Sequence, residues 1–284
     1  MYNNNITEAV SKIPKNVHII DTKWEFTEKD ENKKKARLVA RGFQQIPGQG
    51  FIETYSPTIQ ADSLRLRVTI ASLNEWNLKH LNIKAAYLYA DLEKKIYLKI
   101  LSGDKNYNKN KYWLLKKALY GLKKAGRMWY KEISHFLISI GFKKYNTDKC
   151  LFGKYDKSNK LICLLTLYVD DILITGKDNE INYIINKLKG KYNISKESNA
   201  NKIIGINIYK TKDGYQINQI DYINKIIKKF KMNKTKSVKT PCRNVTDFER
   251  ENSNLVDVEE YKSLLGALLY KAVKSRSNIS FKVS

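Results

Sequence analysis

The stretch from Leu161 to Thr175 reads LICLLTLYVDDILIT, two apolar runs separated by the adjacent carboxylates Asp170 and Asp171. Apolar runs of this length around a polar turn are typical of two buried strands joined as a hairpin. Adjacent carboxylates repel one another, and a hard cation such as Mg²⁺ relieves the repulsion through oxygen ligands. Aspartate is also common in hairpin turns for conformational reasons alone. The pair by itself therefore leaves a metal site and an ordinary turn both open.

Between residues 23 and 84 the sequence predicts three strands and one helix. Residues 23–27 and 36–39 are strand-like segments around a polar turn. A helix is predicted to begin near Asp62 and to run to about Asn74. Residues 80–84 alternate between polar and apolar side chains, which is typical of a half-buried strand with its polar residues on one face.

Further helices and a second hairpin complete the pattern. Three segments have apolar residues at helical spacing, and they are residues 129–140, 181–188 and 223–230. Residues 203–209 and 215–218 are predicted strands around Asp213-Gly214, a strong hairpin signal. Hairpins mixed with helices predict an α+β fold with an antiparallel sheet.

The composition excludes several classes of protein. With 284 residues, 42% of them apolar, the chain is long enough to bury a substantial core, which argues against global disorder. The three cysteines form no CxxC pair, so neither a disulfide scaffold nor a zinc ribbon is expected. No signal peptide is visible, and the longest apolar run, Leu161 to Val169, is too short to span a bilayer. We expect an intracellular, soluble protein with no transmembrane segment and no membrane partner.

The net charge of +25 has two explanations. It favours a polyanionic partner, most simply nucleic acid. The basic residues are mostly lysine, however, and lysine and asparagine codons are rich in A and T, so a biased genome would produce the same excess. The charge alone does not separate the two.

Segments spread along the chain resemble the reverse transcriptase of copia-type LTR retrotransposons, in the order that this family has. The segments are Lys23–Phe26, Lys35–Phe43, Thr54–Pro57, Leu81–Leu88, Ala118–Lys123, Tyr168–Asp171, Ile204–Ile208 and Tyr261–Ser284. Each segment is a weak signal, and their order and spacing together are a strong one. The resemblance implies a right-hand polymerase fold with fingers, palm and thumb, and RNA-directed DNA polymerase activity.

The same resemblance implies a domain organisation. Residues 1–218 correspond to fingers and palm, residues 219–255 to a thumb-like helix and connection, and residues 256–284 to the start of a segment leading to a missing ribonuclease H domain. The chain therefore resembles a fragment of a Pol polyprotein, a nucleotidyltransferase of a transposable element. The implied partners are an RNA or DNA template, a DNA primer and deoxynucleoside triphosphates. The oligomeric state stays open.

The resemblance also implies roles for individual residues. Arg37 corresponds to the fingers residue that contacts the incoming triphosphate, and its planar donor fork suits phosphate oxygens. Tyr87 corresponds to the gate that excludes a 2′-hydroxyl, and Tyr120 and Gly121 would lie near the nascent base pair. The primer grip corresponds to Ile204, Gly205 and Ile206. Taken singly, these residues read as an exposed strand arginine, packed aromatics and turn or strand residues.

The catalytic metal site departs from the family pattern. Asp170 and Asp171 correspond to carboxylates that hold two Mg²⁺ ions, but Asn82 stands where the family has a third aspartate. Asparagine keeps an oxygen acceptor and loses the negative charge. Metal charge stabilisation is worth several kcal/mol, and each loss of about 1.4 kcal/mol slows a reaction tenfold. We therefore predict strongly reduced or absent catalysis at this degenerate position. The alternatives are a non-catalytic protein that binds primer–template and a degenerate retrotransposon remnant.

Overall fold

Strands and helices alternate irregularly along the chain, as in an α+β protein. The computed structural model describes residues 6–29, 33–48, 53–102, 104, 107, 111–236 and 256–283. The strands are β1 Thr7–Val10, β2 Ile19–Ile20, β3 Thr22–Lys29, β4 Lys33–Ala40, β5 Asn77–Ile83, β6 Asp91–Lys99, β7 Tyr112–Lys117, β8 Lys143–Lys144, β9 Leu151–Tyr155, β10 Leu161–Tyr168, β11 Asp171–Gly176, β12 Ile194–Asn199, β13 Lys202–Ile203, β14 Ile206–Thr211 and β15 Gly214–Asn218. The helices are α1 Ala61–Leu73, α2 Ala125–Ser139, α3 Asp178–Lys191, α4 Ile220–Lys229, α5 Val258–Lys274 and α6 Ser280–Val283.

The chain divides into two compact units. The first unit contains residues 1–60 and 77–198, and the second contains residues 61–76 and 199–284. This division follows compactness alone, so the boundaries between fingers, palm and thumb stay predictions.

The first unit is built on a six-stranded sheet with the order β12-β5-β11-β10-β9-β8. Its central pairs β5–β11, β10–β11 and β9–β10 are antiparallel, as the hairpin pattern predicts. A four-stranded sheet, β1-β7-β6-β2, and the separate hairpin β3–β4 complete the unit. The β2–β6 pair is parallel, which the sequence patterns did not predict.

The apolar faces of α2 and α3 form a single core with the central sheet. Trp129 and Leu137 of α2 and Ile184 of α3 are each at most 1% exposed and lie in one cluster with Leu165 and Ile172 of the sheet. Burial of these side chains removes apolar area from water and fixes the central hairpin against the helices. The helical spacing predicted from the sequence is confirmed for both helices.

The second unit contains the sheet β13-β14-β15 with α1, α4 and α5. The predicted continuous strand over residues 203–209 is wrong, because the chain turns at Ile204 and Gly205 between β13 and β14. Both residues have positive φ, +47° and +70°, which is the backbone conformation that a tight two-residue hairpin requires. The Tyr270 hydroxyl of α5 donates a hydrogen bond to the Ile204 carbonyl at 2.8 Å and holds this turn.

Two remaining sequence expectations concern the connections and the membrane. The predicted irregular connection at residues 231–254 lies mostly outside the described residues, which end at 236 and resume at 256. Among the described parts of the chain, none of the helices combines the length and the apolar character needed to cross a bilayer.

Candidate active site

The turn between β10 and β11 carries Asp170 and is held from two sides. Val169 has φ +57°, a left-handed conformation that is rare for a β-branched residue. Its carbonyl accepts a 2.6 Å hydrogen bond from the indole Nε1 of the buried Trp129. The Asp170 carbonyl accepts a 2.8 Å bond from the amide of Ile83. An unfavourable backbone conformation persists where surrounding contacts impose it. These two hydrogen bonds therefore hold the backbone at Val169 and Asp170 in place.

Asp171 lies opposite Asn82 across the β5–β11 pair, and His80 lies opposite Leu173. Because residues two apart on a strand share a face, His80 and Asn82 both point to the face that carries Asp171. The oxygen Oδ1 of Asp171 is 2.7 Å from Nε2 of His80 and 3.0 Å from Nδ2 of Asn82. Two nitrogen groups therefore contact the same carboxylate oxygen.

Ser195 of β12 completes this arrangement. Its hydroxyl donates to Oδ1 of Asn82 at 2.6 Å and to the Asn82 carbonyl at 3.1 Å. An ionised carboxylate only accepts hydrogen bonds, so the NH₂ group of Asn82 must face Asp171 and its oxygen must face Ser195. Both polar groups of the Asn82 side chain are thus engaged.

The environment favours the ionised form of Asp171. Burial alone would raise the pKa of this carboxyl group. The hydrogen bonds from His80 and Asn82, together with the charges of His80 and Lys196, outweigh burial and hold the pKa of Asp171 below its usual value. The carboxylate is therefore negatively charged at neutral pH.

Asp170, Arg37 and Tyr120 line two adjoining cavities of about 570 and 450 Å³. Lys35, Asn82, Lys84 and Ser195 also line the larger cavity, and Tyr87 and Gly121 also line the smaller one. The lining thus includes the acidic Asp170 and, from the β3–β4 hairpin, the basic Lys35 and Arg37 together with the acidic Glu25.

The rings of Tyr87 and Tyr120 line the smaller cavity together with Arg37 and Asp170. The rings of Tyr87 and Tyr120 have centroids 4.7 Å apart, and the guanidinium carbon of Arg37 lies 6.0 Å from the Tyr120 centroid. Burial first, and then the negative charge of Asp170, raise the pKa of both tyrosines. The phenols are therefore neutral at physiological pH, and the Asp170 carboxylate lies close enough to act on both.

Gly121 allows the end of the β3–β4 hairpin at Ala40 to approach Tyr120 closely. Its φ is +88°, and a Cβ atom there would lie 2.1 Å from the carbonyl oxygen of Ala40. The amide of Ala40 donates to the Tyr120 carbonyl at 2.9 Å. Only glycine meets both the conformation and the space, so this position links the basic hairpin to Tyr120.

The donor set suits one hard cation better than two. Asp170 and Asp171 supply carboxylate oxygens, which Mg²⁺ and similar ions prefer. Oδ1 of Asp171 already accepts two hydrogen bonds, and the oxygen of Asn82 accepts from Ser195. Within the described residues, no group of three or more acidic, histidine or cysteine side chains is placed to hold a metal. The pair fits one divalent cation and lacks the third carboxylate of a two-ion site.

The structure brings most of the predicted site residues together. Those around the two cavities are Arg37, Asn82, Tyr87, Tyr120, Gly121 and Asp170, with Asp171 paired to Asn82. Ile204, Gly205 and Ile206 belong to the second compact unit. Sequence reasoning missed Ser195, which lies 113 residues from Asn82 and has no local signal. The alternation of polar and apolar residues over 80–84 predicted that His80 and Asn82 share one strand face, and it was the signal in the sequence for the position of His80.

Comparison with known proteins gives relatives over almost the whole chain. The Retrovirus-related Pol polyprotein from transposon RE1 of Arabidopsis thaliana is 32% identical over 290 residues, covering 99% of this chain and 20% of that protein. The Pol polyprotein from transposon TNT 1-94 of Nicotiana tabacum is 32% identical over 299 residues, covering 98% and 22%. The chain thus spans about a fifth of the length of these relatives.

A solved structure and a family profile also match this chain. A foamy viral protease-reverse transcriptase in complex with double-stranded DNA aligns with 93% of this chain and 38% of its own, at 12% identity and a TM-score of 0.44. The profile of the reverse transcriptase (RNA-dependent DNA polymerase) family matches residues 4–244. The chain therefore belongs to the reverse transcriptase (RNA-dependent DNA polymerase) family, in the group found in copia-type retrotransposon Pol polyproteins, as its sequence predicts.

Proposed function

We propose that this chain is an RNA-directed DNA polymerase domain whose catalysis is impaired by Asn82. In the proposed reaction the 3′-hydroxyl oxygen of a DNA primer attacks the α-phosphate of a deoxynucleoside triphosphate. A P–O bond forms between the primer oxygen and the α-phosphorus, and the bond between the α-phosphorus and the oxygen that bridges to the β-phosphate breaks. Pyrophosphate leaves, and the hydroxyl proton passes to solvent. The observation that carries this proposal is the shared lining of the two cavities by Asp170, Arg37 and Tyr120.

The basic and aromatic residues have separate roles in this proposal. Arg37 binds the triphosphate, with Lys35 and Lys84 adding positive charge along the larger cavity. Tyr87, packed against Tyr120, occupies the space that a 2′-hydroxyl would need. The neutral phenols suit this steric role, since an ionised phenolate would repel phosphate.

Membership of the family implies a reaction that depends on divalent metal. We propose Mg²⁺ as this metal and Asp170 and Asp171 as its ligands, because hard carboxylate oxygens suit it. When bound, the cation would stabilise negative charge on the attacking and leaving oxygens. The family pattern of two ions needs a third carboxylate, and Asn82 supplies none, so we expect a slow enzyme.

Charge and exposed aromatics support a nucleic-acid partner. The net charge of +25 favours the phosphate backbone of an RNA or DNA template with a DNA primer. On β3, Trp24 and Phe26 are 50% and 79% exposed with stacked rings, a surface on which unpaired bases could stack. We also propose that residues 1–218 form the fingers and palm and that residues 219–255 form the thumb-like helix and connection. Intracellular deoxynucleotide substrates agree with the predicted intracellular location.

Primer extension tests the proposal. The wild-type chain is compared with Asn82→Asp and Asp171→Asn, and with Asp170→Asn as a second control, on an RNA template with a DNA primer and Mg²⁺. We expect Asn82→Asp to extend the primer at least about tenfold faster than wild type, the equivalent of about 1.4 kcal/mol of regained charge stabilisation. Both Asp→Asn variants should extend nothing. Equal rates for wild type and Asn82→Asp, or extension that survives Asp170→Asn, would contradict the proposal.

The second candidate is a protein that binds primer–template without chemistry. The contacts of Asn82 with Asp171 and Ser195 favour it, because the residue then presents its NH₂ group, and not its oxygen, toward Asp171. It predicts salt-sensitive duplex binding with no extension by wild type. Fluorescence anisotropy of a labelled RNA/DNA duplex, run beside the extension assay, separates the two candidates.

A further inference from the structure

Hydrogen bonds connect Asp171 with His80 and Asn82, and Asn82 with Ser195, and we call this set of four side chains the Asp171 clamp. His80 and Asn82 contact Oδ1 of Asp171 at 2.7 and 3.0 Å, and Ser195 binds the oxygen of Asn82 at 2.6 Å. The residues come from three neighbouring strands, β11, β5 and β12. The clamp therefore links the edge strand β12 to the inner strands β5 and β11 of the six-stranded sheet.

We propose that the Asp171 clamp weakens divalent-cation binding at the Asp170–Asp171 pair, and that His80 is the positioning residue chiefly responsible. This inference rests on the proposed function, which makes the two aspartates the metal ligands. N–H groups that point at Oδ1 present their positive ends where a cation would approach. A cation at Asp171 must displace these donors or use the second carboxylate oxygen alone.

The environment of His80 argues for a specific role of this side chain. His80 is 7% exposed, and its Nδ1 atom is buried without a hydrogen-bond partner among the described residues. Burying an unpaired polar atom is unfavourable, so packing alone gives no reason for histidine at this position. The contact from Nε2 to Asp171 is the interaction that an apolar residue of similar size could not make.

Ser195 acts on the cation site through Asn82. The serine hydroxyl donates to one lone pair of the side-chain oxygen of Asn82 and holds that oxygen on the Ser195 side, so the amide presents its NH₂ group rather than its oxygen toward Asp171. Ser195 itself is exposed, so its replacement leaves the core intact. His80 thus acts on the carboxylate of Asp171, and Ser195 acts on the side-chain oxygen of Asn82. Both reduce the number of oxygen atoms available to a cation.

Manganese binding tests this inference without measuring catalysis. Mn²⁺ is titrated into the full chain at neutral pH, and free Mn²⁺ is followed by electron paramagnetic resonance. The variants are His80→Val, which removes the donor and keeps a strand-forming side chain, and His80→Gln, which retains an N–H donor. Ser195→Ala is the third variant, and Asp170→Asn is the control for the location of the ion. Circular dichroism checks that each variant is folded.

We expect His80→Val to tighten Mn²⁺ binding by about tenfold or more, the equivalent of one hydrogen bond to a charged group. His80→Gln should bind as the wild type does, and Ser195→Ala should bind about threefold more tightly, since it releases one neutral hydrogen bond. Unchanged affinity in His80→Val, or equal tightening by His80→Gln, would overturn the role of His80. If His80→Val does not fold, unchanged affinity in Ser195→Ala overturns the inference. If Asp170→Asn leaves Mn²⁺ binding unaltered, the ion lies elsewhere, and the proposed metal site falls with the clamp.

Discussion

Replacing Asn82 by aspartate should destabilise the protein when divalent cations are absent. In the wild type the Asn82 amide donates to Oδ1 of Asp171 at 3.0 Å. In Asn82→Asp an anionic oxygen takes the place of that donor, so two carboxylates face each other across one strand pair. The favourable contact becomes a repulsive one.

The magnitude follows from the distance. Two unit charges 3.0 Å apart repel by about 5 to 6 kcal/mol at an effective dielectric constant of about 20. The Asp171 side chain is 31% exposed, and both carboxylates can rotate, so solvent screens much of this repulsion. We expect a loss of about 1 to 3 kcal/mol in the free energy of unfolding, including the lost hydrogen bond. A cation bound between the carboxylates should recover most of it.

Urea unfolding followed by circular dichroism measures this effect, with each variant examined in EDTA and again in Mg²⁺. The matched control is the exchanged pair, Asn82→Asp combined with Asp171→Asn, which restores one carboxylate facing one amide. We expect Asn82→Asp to be the least stable variant in EDTA and the one most stabilised by Mg²⁺. The exchanged pair should be more stable than Asn82→Asp in EDTA and less stable than wild type only through the loss of the contact between His80 and the carboxylate at position 171. If Asn82→Asp matches wild type in EDTA, or if the exchanged pair is equally unstable, the repulsion across this strand pair is not real.

Four further predictions concern packing, ion pairs and binding. Gly121→Ala should lower the free energy of unfolding by about 3 kcal/mol or more, because the new Cβ meets a backbone carbonyl oxygen at 2.1 Å and φ is positive. Gly190→Ala, with open space around the glycine, is the control. Equal urea midpoints for the two variants would be evidence against the contact. The pKa of Glu93 is lowered to about 2 by hydrogen bonds from its two lysine partners, so its stabilisation is complete above the ordinary value of 4.5 and is lost as the pH falls toward 2. Glu93→Gln should therefore be less stable by about 1 kcal/mol or less at neutral pH and should show a smaller loss on acidification in thermal unfolding. Trp129→Phe should cost about 1 kcal/mol by removing the bond to the Val169 carbonyl, and a urea midpoint equal to that of wild type would contradict this. Affinity for an RNA/DNA duplex should fall steeply with salt concentration in fluorescence anisotropy, and a salt-independent affinity would exclude binding through phosphates.

The sequence by itself predicted the elements that depend on local pattern. The hairpin at Asp170–Asp171 follows from two apolar runs around a polar turn, and the helical faces of α2 and α3 follow from apolar spacing. The order and spacing of short segments also identified the family, because both are properties of the residues themselves. The asparagine at position 82 was visible in the same way, because it is a matter of residue identity.

The break in the predicted strand at Ile204 shows where local patterns fail. Apolar residues continue through the turn, so the sequence reads as one strand, whereas the backbone reverses at two positive-φ residues. Tertiary contact with Tyr270 fixes that turn, and apolar periodicity carries no information about it. The parallel pairing of β2 with β6 is non-local for the same reason.

The state of the acidic site was decided only by tertiary structure. The sequence identified Asp170, Asp171 and Asn82, but the direction of the Asn82 amide depends on Ser195, which lies on another strand and far away in sequence. The contact of His80 with Asp171 likewise depends on the register of β5 against β11. Residue identity determines which groups are present, whereas strand register and packing determine which atom each group offers, because hydrogen bonds act over about 3 Å between residues that the chain itself keeps far apart.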